Sequence, residues 1–288
     1  MKKTLTEQAN AKINLYLRVT GRRPDGYHEL YSIMQSVSLA DTVTVSCDTE
    51  ADGQKIKLTC TDPSIPCDRR NIAVKCAESF FAGFGIKNYA ADIHIEKRIP
   101  VSGGLAGGST DGAAVLRALN AICGTGASLE KLCSIGARIG ADIPFCVIGG
   151  TAVCTGIGDV LTPLDIPAPS YSVLIVAPGG GVSTPEAYAA IDSAGVIPLA
   201  CDAGSVLDAL KNGVCPSAMH NDFEAVIFPL NEKAAAIKSA LTDLGADSSM
   251  MSGSGPTLFG LFSDEKKCAQ AESFLSSKGY KTAVCRAI

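Results

Sequence analysis

The sequence predicts an α+β protein of two domains, and three observations lead to this class. Near the amino terminus, apolar and polar residues alternate with the period of a β-strand. A glycine-rich stretch then connects a strand-like run to residues with helical spacing. After Asp159 the composition changes, because residues 161–169 contain three prolines. We therefore expect an N-terminal domain over residues 1–159 and a C-terminal domain over residues 160–288.

The composition is that of a globular protein without a general affinity for polyanions. Of the 288 residues, 47% are hydrophobic and 19% are charged, which excludes a disordered chain. The net charge of −4 provides no basic field for a nucleic-acid backbone, so an anionic ligand must be bound locally. The longest uncharged stretches are interrupted by glycines and prolines, which argues against transmembrane helices. We expect neither nucleic acid nor a membrane as a partner.

The cysteines and the first residues of the chain indicate a reducing compartment. The twelve cysteines are scattered through apolar segments without a C-x-x-C pair, which favours reduced thiols. The first ten residues, MKKTLTEQAN, lack the apolar run of a signal peptide. We therefore expect a cytoplasmic protein. We also expect a monomer or a weak homodimer.

The N-terminal half is expected to begin with antiparallel strands. The run ANAKINLYLRVTG alternates like a strand with one buried face, which places Lys12 and Asn14 together on the other, polar face. Pro24-Asp25-Gly26 then predicts a chain reversal. Two more alternating runs predict an extension of the antiparallel sheet, over residues 42–47 and 55–59. A helix and a further strand are predicted over residues 71–84 and 91–96.

Helices and strands alternate through the rest of the chain. Apolar spacing predicts a helix that begins near Ser109 and stops at Gly124. Ser128 is expected to cap a second helix, which ends at Gly140 and leads to Asp142. The C-terminal half has a predicted turn at Gly179-Gly180-Gly181. Its predicted strands and helices cover residues 171–177, 205–211, 231–244 and 257–262.

The glycine-rich stretch from Ser102 to Thr110 is the first segment that could carry chemistry. Glycines allow main-chain N–H groups to approach a ligand, and the following helix N-terminus adds unpaired donors and a partial positive charge. This combination favours a nucleotide phosphate. The stretch is neither a P-loop nor a dinucleotide fingerprint, because the residues that define those motifs are missing. The alternative is a plain strand-to-helix connection.

Three polar residues could act on a phosphate bound there. Asp142 could accept a hydroxyl proton, as in kinases of several folds, although an aspartate in a loop is more often a turn former or a cap. Lys12 and Asn14 could line a cleft from one face of their strand. The alternative for a strand lysine is a solvated face.

Two further segments contain features of ligand sites. In MSGSGPTLFG, residues 251–260, glycines precede a strand, which indicates either a tight turn or a second glycine loop over the phosphates. Tyr27 and His28 follow a polar turn in a chain that has no tryptophan and only seven tyrosines. An aromatic ring beside a histidine suits stacking on a nucleobase and recognition of its edge.

Taken together, these segments resemble the GHMP kinases, which include galactokinase, homoserine kinase, mevalonate kinase and phosphomevalonate kinase. IPVSGGLAGGSTDGAA is similar to their glycine-rich phosphate loop, and MSGSGPTLFG is similar to their C-terminal glycine motif. Within the family, four more segments resemble the members that act on a cytidine diphosphate-linked methylerythritol: AKINLYLRVTGRRPDGYHEL, GADIPF, GVSTPEAY and HNDFE. The resemblance extends from residue 10 to about residue 262.

The resemblance implies both a fold and a reaction. The fold is the two-domain GHMP kinase fold, with an N-terminal ribosomal-protein-S5-like domain, a C-terminal ferredoxin-like domain and the active site in the cleft between them. The reaction is an ATP-dependent phosphorylation of the 2-hydroxyl of the cytidine diphosphate-linked methylerythritol, in the non-mevalonate route to isoprenoid precursors. ATP and Mg²⁺ are the cofactors that this resemblance implies.

The resemblance also implies roles for individual residues. Asp142 matches the catalytic base, and Lys12 matches the lysine that steadies that base and the reacting hydroxyl. His28 matches the residue that reads the base edge. Tyr27 and Tyr188 match aromatics that enclose the cytosine ring, whereas Asn14 and Thr184 match neighbours of the sugar-like portion. The residues that match the ATP phosphate loop are Pro100, Val101, Ser102, Gly103, Gly104, Leu105, Ala106, Gly107, Gly108, Ser109 and Thr110.

Some positions depart from the family pattern. Gly112 stands where members usually have alanine. The glycine costs about 1 kcal/mol of helix propensity relative to alanine. Ser102 and Ala106 replace glycines of some members, so the loop is expected to be less permissive. The hydroxyl of Ser109 or Thr110 is expected to bind magnesium, and the sequence identifies no acidic metal ligand.

Two alternatives stay open on the sequence alone. The first is a GHMP kinase for another small alcohol such as homoserine, but Tyr27, His28 and Tyr188 would then have no base to bind. The second is a non-catalytic nucleotide-binding protein on the same scaffold. The presence of both Lys12 and Asp142 argues against this second alternative, because a non-catalytic protein would need neither residue.

Overall fold

The computed structural model describes residues 2–167, 169–180, 182–195, 199 and 201–288. Gly181, which belongs to the predicted triple-glycine turn and begins GVSTPEAY, lies outside these residues. The chain forms two compact units. The first comprises Met1–Ala11, Ala40–Val101 and Ala106–Gly149, and the second comprises Lys12–Leu39, Ser102–Leu105 and Gly150–Ile288. The domain boundary between residues 159 and 160 stays a prediction.

Two long strands contribute residues to both units. They are β1, Lys3–Arg22, and β2, His28–Asp48. The predicted reversal joins them in the second unit, where the N–H of Gly26 donates to the carbonyl of Arg23 at 3.0 Å. Gly26 has a φ of +89°, a conformation that a side chain disfavours. The turn predicted from Pro24-Asp25-Gly26 is confirmed.

The face of β1 that carries Lys12 and Asn14 is buried, which contradicts the predicted half-exposed strand. Lys12 is 3% exposed and Asn14 is 0% exposed. Period-two alternation identifies the residues that share a face, but it does not report whether the polar face is covered. Polar groups buried in this way require hydrogen-bond partners.

The first unit contains a parallel strand pair that the sequence prediction did not anticipate. Its further strands are β3, Gln54–Cys60, and β4, Tyr89–Glu96. β4 pairs antiparallel with β2, whereas β3 pairs parallel with β4. The prediction that β3 extends an antiparallel sheet is therefore wrong. A helix lies between β3 and β4 in the chain, and such a crossover allows parallel neighbours.

Four helices complete the first unit: α1, Ile72–Gly83; α2, Gly107–Cys123; α3, Leu129–Gly136; and α4, Ile143–Ile148. Asn71 caps α1, and Ser128 caps α3 as predicted. α2 begins two residues before the predicted start, and α3 ends at Gly136 and not at Gly140. A Cβ atom on Gly112 would lie 2.7 Å from the Cys76 sulfur and 2.9 Å from Ile72, so glycine at this position permits close packing of α1 on α2.

The second unit contains two groups of strands. β5, Thr151–Thr155, pairs antiparallel with β2 and with β6, Val160–Pro163. β8, His220–Asn221, pairs parallel with β1. A separate antiparallel sheet has the order β11-β7-β10-β9. Its strands are β7, Ser172–Ala177; β9, Ser248–Met251; β10, Leu258–Phe262; and β11, Lys281–Arg286.

The second unit also contains helices. They are α5, Thr184–Ala194; α6, Ala203–Lys211; α7, Glu224–Ile227; α8, Glu232–Asp243; and α9, Glu265–Ser277. Four of them (α5, α7, α8 and α9) contribute residues to its apolar core. Leu174, Leu258 and Phe262 of the sheet pack with Ile237 and Leu241 of α8. The α+β class is confirmed.

Two further observations concern the cysteines and the length of the helices. The twelve cysteines are all free thiols. Among the described residues, no helix combines the length and the apolar character required to cross a membrane.

Candidate functional site

Lys12 and Asn14 lie side by side on β1 and are linked directly. The Lys12 ammonium donates to Asn14 Oδ1 at 2.7 Å, and Asn14 Nδ2 donates to the Ser32 hydroxyl at 2.8 Å. The Lys12 N–H donates to the carbonyl of Leu105, in the middle of the glycine-rich loop, at 3.2 Å. The predicted lysine is therefore both oriented by Asn14 and bonded to the predicted phosphate loop.

The second glycine motif is held against the same residues. The N–H of Gly253 donates to Asn14 Oδ1 at 3.0 Å. From β8, Asn221 Nδ2 donates to the carbonyls of Met251 and Gly253 at 2.7 and 2.9 Å. Asn221 is buried, and its Oδ1 accepts the N–H of Phe223 at 3.0 Å. Sequence reasoning gave Asn221 no role, although it lies within the HNDFE segment.

The two glycine motifs are in direct contact within the second unit. The Ser252 hydroxyl donates to the carbonyl of Gly104 at 3.0 Å. A Cβ atom on Gly104 would overlap the carbonyl oxygen of Ser252, and Gly104 has a φ of +78°. Only glycine satisfies both conditions, so this glycine is required for the close approach.

Two residues that carry a side chain adopt the backbone conformation that favours glycine. Ser102 has a φ of 55° and Ala106 has a φ of 58°. Left-handed backbone costs a residue with a side chain about 1–2 kcal/mol. The backbone of the loop is therefore left-handed even at Ser102 and Ala106, where a side chain makes this conformation unfavourable.

The start of α2 distinguishes between the two predicted hydroxyls. The Thr110 hydroxyl is buried and donates to the carbonyl of Asn10 at 2.8 Å. Ser109 is partly exposed, and its hydroxyl has no partner among the described residues. Pro100 and Val101 precede this region in the first unit, where Val101 is exposed.

A buried ion cluster fixes the segments before and after the loop in the first unit. The Lys97 ammonium contacts the carboxylates of Asp41 and Asp111, the latter at 2.8 Å. Asp41 Oδ1 also accepts the N–H groups of Arg98 and Ile99. Burial raises the pKa of the Asp111 carboxyl to about 7, and Asp111 Oδ1 is buried without a partner. No local sequence signal indicated this cluster, because its members come from β2, α2 and the segment after β4.

Asp142 lies immediately before α4 in the first unit. It is half-buried, and its carboxylate does not cap the helix. Asp142 therefore lacks the capping hydrogen bond that an aspartate before a helix usually forms. Its assignment as the base stays a prediction.

Two of the three residues predicted to bind a nucleobase, His28 and Tyr188, contact each other in the second unit. His28, the first residue of β2, stacks on Tyr188 with ring centroids 4.6 Å apart and an interplanar angle of 18°. His28 Nε2 is 2.7 Å from Asp192 Oδ1, and this hydrogen bond holds the pKa of the Asp192 carboxyl below its usual value. Tyr27 is 61% exposed.

Asp192 was missed by sequence reasoning, although a signal was available. The S-x-x-E pattern at Ser183 and Glu186 is a capping box that predicts α5, and the structure forms it. On that helix Asp192 follows Tyr188 by four residues, so both face the same side. Thr184, also on α5, lies 3.1 Å from the Ser254 hydroxyl in the glycine motif.

In the second unit a buried ammonium lies beside a glycine-rich loop, and these are groups that stabilise phosphate charge. Within the part of the chain that the structure describes, no group of three or more histidine, cysteine or acidic side chains could hold a metal ion by itself. Mg²⁺ needs no such cluster, because it binds through one or two protein ligands plus phosphates and water.

Comparisons with known proteins identify the family. Two family models match the chain, GHMP kinases N terminal domain over residues 71–150 and GHMP kinases C terminal over residues 207–281. A 4-diphosphocytidyl-2-C-methyl-D-erythritol kinase from Exiguobacterium sibiricum is 41% identical over 269 residues, which cover 92% of this chain and 91% of that protein.

Solved structures give the same result. A crystal structure of 4-(cytidine 5'-diphospho)-2C-methyl-D-erythritol kinase superposes with a TM-score of 0.80 at 31% identity and covers 98% of this chain and 99% of its own. A homoserine kinase from Cytophaga hutchinsonii, with a TM-score of 0.74 at 17% identity, covers 100% of this chain and 96% of its own and shows the shared fold alone. This chain therefore belongs to the 4-diphosphocytidyl-2-C-methyl-D-erythritol kinases within the GHMP kinase family.

Proposed function

We propose that this protein transfers the γ-phosphoryl group of ATP to the 2-hydroxyl of 4-diphosphocytidyl-2-C-methyl-D-erythritol. The products are the 2-phosphate of that alcohol and ADP, in the non-mevalonate route to isoprenoid precursors. The observation that carries the proposal is the hydrogen-bond network that joins Lys12, through Asn14, to the second glycine motif and, through Leu105, to the first.

In the proposed site the glycine-rich loop binds the ATP phosphates. Main-chain N–H groups of residues 102–108 and the first turn of α2 supply donors and a partial positive charge. The contact of Gly104 with Ser252 holds the loop in one shape before ATP arrives. Such preorganisation is the main contribution that a protein makes to phosphoryl transfer.

Asp142 and Lys12 act on the reacting groups. Asp142 accepts the proton of the 2-hydroxyl as the hydroxyl oxygen attacks the γ-phosphorus, and ADP leaves with the electrons of the broken P–O bond. Lys12, oriented by Asn14, offsets negative charge on the transferred phosphoryl group.

Ser109 is the hydroxyl that would hold Mg²⁺. The Thr110 hydroxyl is already bonded to Asn10, whereas the Ser109 hydroxyl has no partner in the described residues. When bound, Mg²⁺ neutralises charge on the phosphate oxygens.

The cytidine end of the substrate is bound by the aromatic cluster. Tyr188 and the exposed Tyr27 enclose the base, and His28 reads its edge. Thr184 and Asn14 lie near the sugar-like portion. A homoserine kinase would have no use for this cluster, and a non-catalytic protein would have no use for the oriented lysine.

A comparison of substrates tests the proposal. Purified protein with Mg-ATP is expected to phosphorylate the cytidine substrate and to leave homoserine and mevalonate unchanged. Asp142→Asn should abolish turnover while ATP affinity, measured by calorimetry, stays within about twofold because the base does not hold the phosphates. Faster turnover of homoserine would overturn the substrate assignment, and absence of any kinase activity would favour the non-catalytic protein.

We also propose a cytoplasmic protein that is a monomer or a weak homodimer. Cell fractionation tests the first statement. Sedimentation at several protein concentrations tests the second, which a stable tetramer would contradict.

A further inference from the structure

We propose that Asp192 makes the site selective for cytosine over uracil by deciding which nitrogen of His28 carries the proton. The inference rests on the proposed function and names the residue that sets the base preference of its substrate. Asp192 is a specificity-determining residue that acts through His28.

The proton is assigned from the hydrogen bond between the two side chains. His28 Nε2 lies 2.7 Å from Asp192 Oδ1, and Asp192 Oδ2 lies 3.2 Å from the Arg22 guanidinium. A carboxylate that faces a guanidinium is ionised and can only accept hydrogen bonds. His28 must therefore donate from Nε2. In the neutral imidazole the other nitrogen, Nδ1, is then a hydrogen-bond acceptor.

His28 Nδ1 is available to a ligand. No described residue forms a hydrogen bond with it. Among the described residues, the fully buried polar side-chain atoms without a partner belong to Asp111 and Tyr171, so Nδ1 is not sealed in the core. His28 thus presents one accessible acceptor at the edge of its ring.

Tyr188 defines the plane in which a base would meet that acceptor. The Tyr188 ring stacks on His28 at 4.6 Å with an interplanar angle of 18°. A base hydrogen-bonded in the plane of the imidazole therefore lies nearly parallel to Tyr188, the geometry of an offset stack. Because Tyr188 and Asp192 are four residues apart on α5, one helix face provides both the stacking surface and the group that orients His28.

The chemistry of the two pyrimidines then decides the preference. The 4-amino group is the only hydrogen-bond donor at the exposed edge of cytosine, whereas uracil has a carbonyl acceptor at the same position. An acceptor at Nδ1 pairs with the amino group and faces the lone pairs of the carbonyl. The loss of a buried hydrogen bond of this kind corresponds to about 10- to 100-fold in kcat/KM.

Nuclear magnetic resonance tests the proton assignment without any substrate. Long-range ¹H–¹⁵N correlations identify the protonated nitrogen of each imidazole, and His28→Gln assigns the His28 signals among the three histidines. We expect the proton on Nε2 in the unmodified protein and a mixture of both tautomers in Asp192→Ala. A proton on Nδ1 in the neutral imidazole of the unmodified protein would overturn the proposal.

Kinetics test the consequence for specificity. The ratio of kcat/KM for the cytidine substrate to that for its uridine counterpart should be about 10 to 100, and it should fall at least about fivefold in Asp192→Ala and Asp192→Asn. Glu186→Gln is the matched control, because it removes a carboxylate from the same helix and keeps a capping-box residue. A ratio that Asp192→Ala leaves unchanged would overturn the proposal.

Failure of the proposal differs from failure of the proposed function. An enzyme that phosphorylates cytidine and uridine substrates equally well keeps its function and loses this inference. If neither substrate is phosphorylated, the function fails, and calorimetric binding of CMP against UMP decides whether the His28 site prefers an amino group. Equal affinities for the two nucleotides would then overturn the inference as well.

Discussion

Gly104 and Ser252 are packed so closely that a Cβ atom on Gly104 would overlap the Ser252 carbonyl oxygen. The two residues are 148 positions apart, and the Ser252 hydroxyl closes the contact with a hydrogen bond of 3.0 Å to the carbonyl of Gly104. The glycine-rich loop therefore owes its shape to the second glycine motif as well as to its own residues.

Replacing Gly104 with alanine should separate the two motifs. Because the clash is with backbone and φ is +78°, neither side can adjust easily, and kcat/KM for ATP is expected to fall about 100-fold. Gly124→Ala is the control, since Gly124 has a φ of +62° but no atom within 4 Å of its Cβ position. The control should lose about 1 kcal/mol of stability and keep its kinetic constants. Equal kinetics for the two variants would contradict the role of the contact.

Removing the Asn221 side chain should lower turnover through Lys12. Asn221 holds Gly253, which bonds to Asn14, the residue that orients the ammonium of Lys12. Asn221→Ala is expected to reduce kcat about 10- to 100-fold, and steady-state kinetics measure it.

Asn120 provides a matched control for that variant. Its side chain donates to the carbonyl of Ala127 and accepts from the Thr125 hydroxyl and the Ala127 N–H, a similar set of bonds in the first unit. Asn120→Ala should cost about 1–3 kcal/mol of stability without a change in kcat per folded molecule. If both variants lose stability and neither loses kcat, Asn221 has a structural role alone.

Glycine at position 106 should stabilise the protein. Ala106 adopts a φ of 58°, and relief of that strain outweighs the extra chain entropy of glycine by up to about 1 kcal/mol. Urea denaturation measures the gain in the free energy of unfolding. Ala236→Gly, at an exposed position inside α8, should instead lose about 1 kcal/mol. A loss at both positions would refute the strained conformation.

Charge balance in the buried cluster predicts losses of stability that differ greatly in size for two of its members. Lys97→Met leaves Asp41 and Asp111 without a cation and should cost about 3–5 kcal/mol of unfolding free energy. Asp111→Asn should cost far less, because Asp41 still neutralises Lys97 and Asp111 Oδ1 has no partner to lose. The double variant should be more stable than Lys97→Met by more than about 1 kcal/mol, as measured by chemical denaturation. Strict additivity of the two single changes would contradict the coupling.

Local structure could be predicted from the sequence where it depends on interactions between residues that are close together in the chain. Asn71 and Ser128 cap helices by bonding to N–H groups two or three residues away, and Pro24-Asp25-Gly26 closes its turn within four residues. The composition of the glycine-rich loop and the order of the motifs also indicated the family, because both features are local to the sequence.

Burial and long-range pairing could not be predicted in this way. Alternation along β1 placed Lys12 and Asn14 on one face, but only the folded chain covers that face. The parallel pairing of β3 with β4 joins two strands that α1 separates in the sequence. The glycine at position 112, which costs helix propensity, is explained by its contact with α1.

The residues that orient the site show the same division. The sequence by itself determined which side chains are present, namely Lys12, Asp142, His28 and the two glycine motifs. Only the tertiary structure decided that Asp192 bonds to His28 and that Asn221 holds Gly253, because hydrogen bonds form between groups about 3 Å apart whatever their separation in the chain.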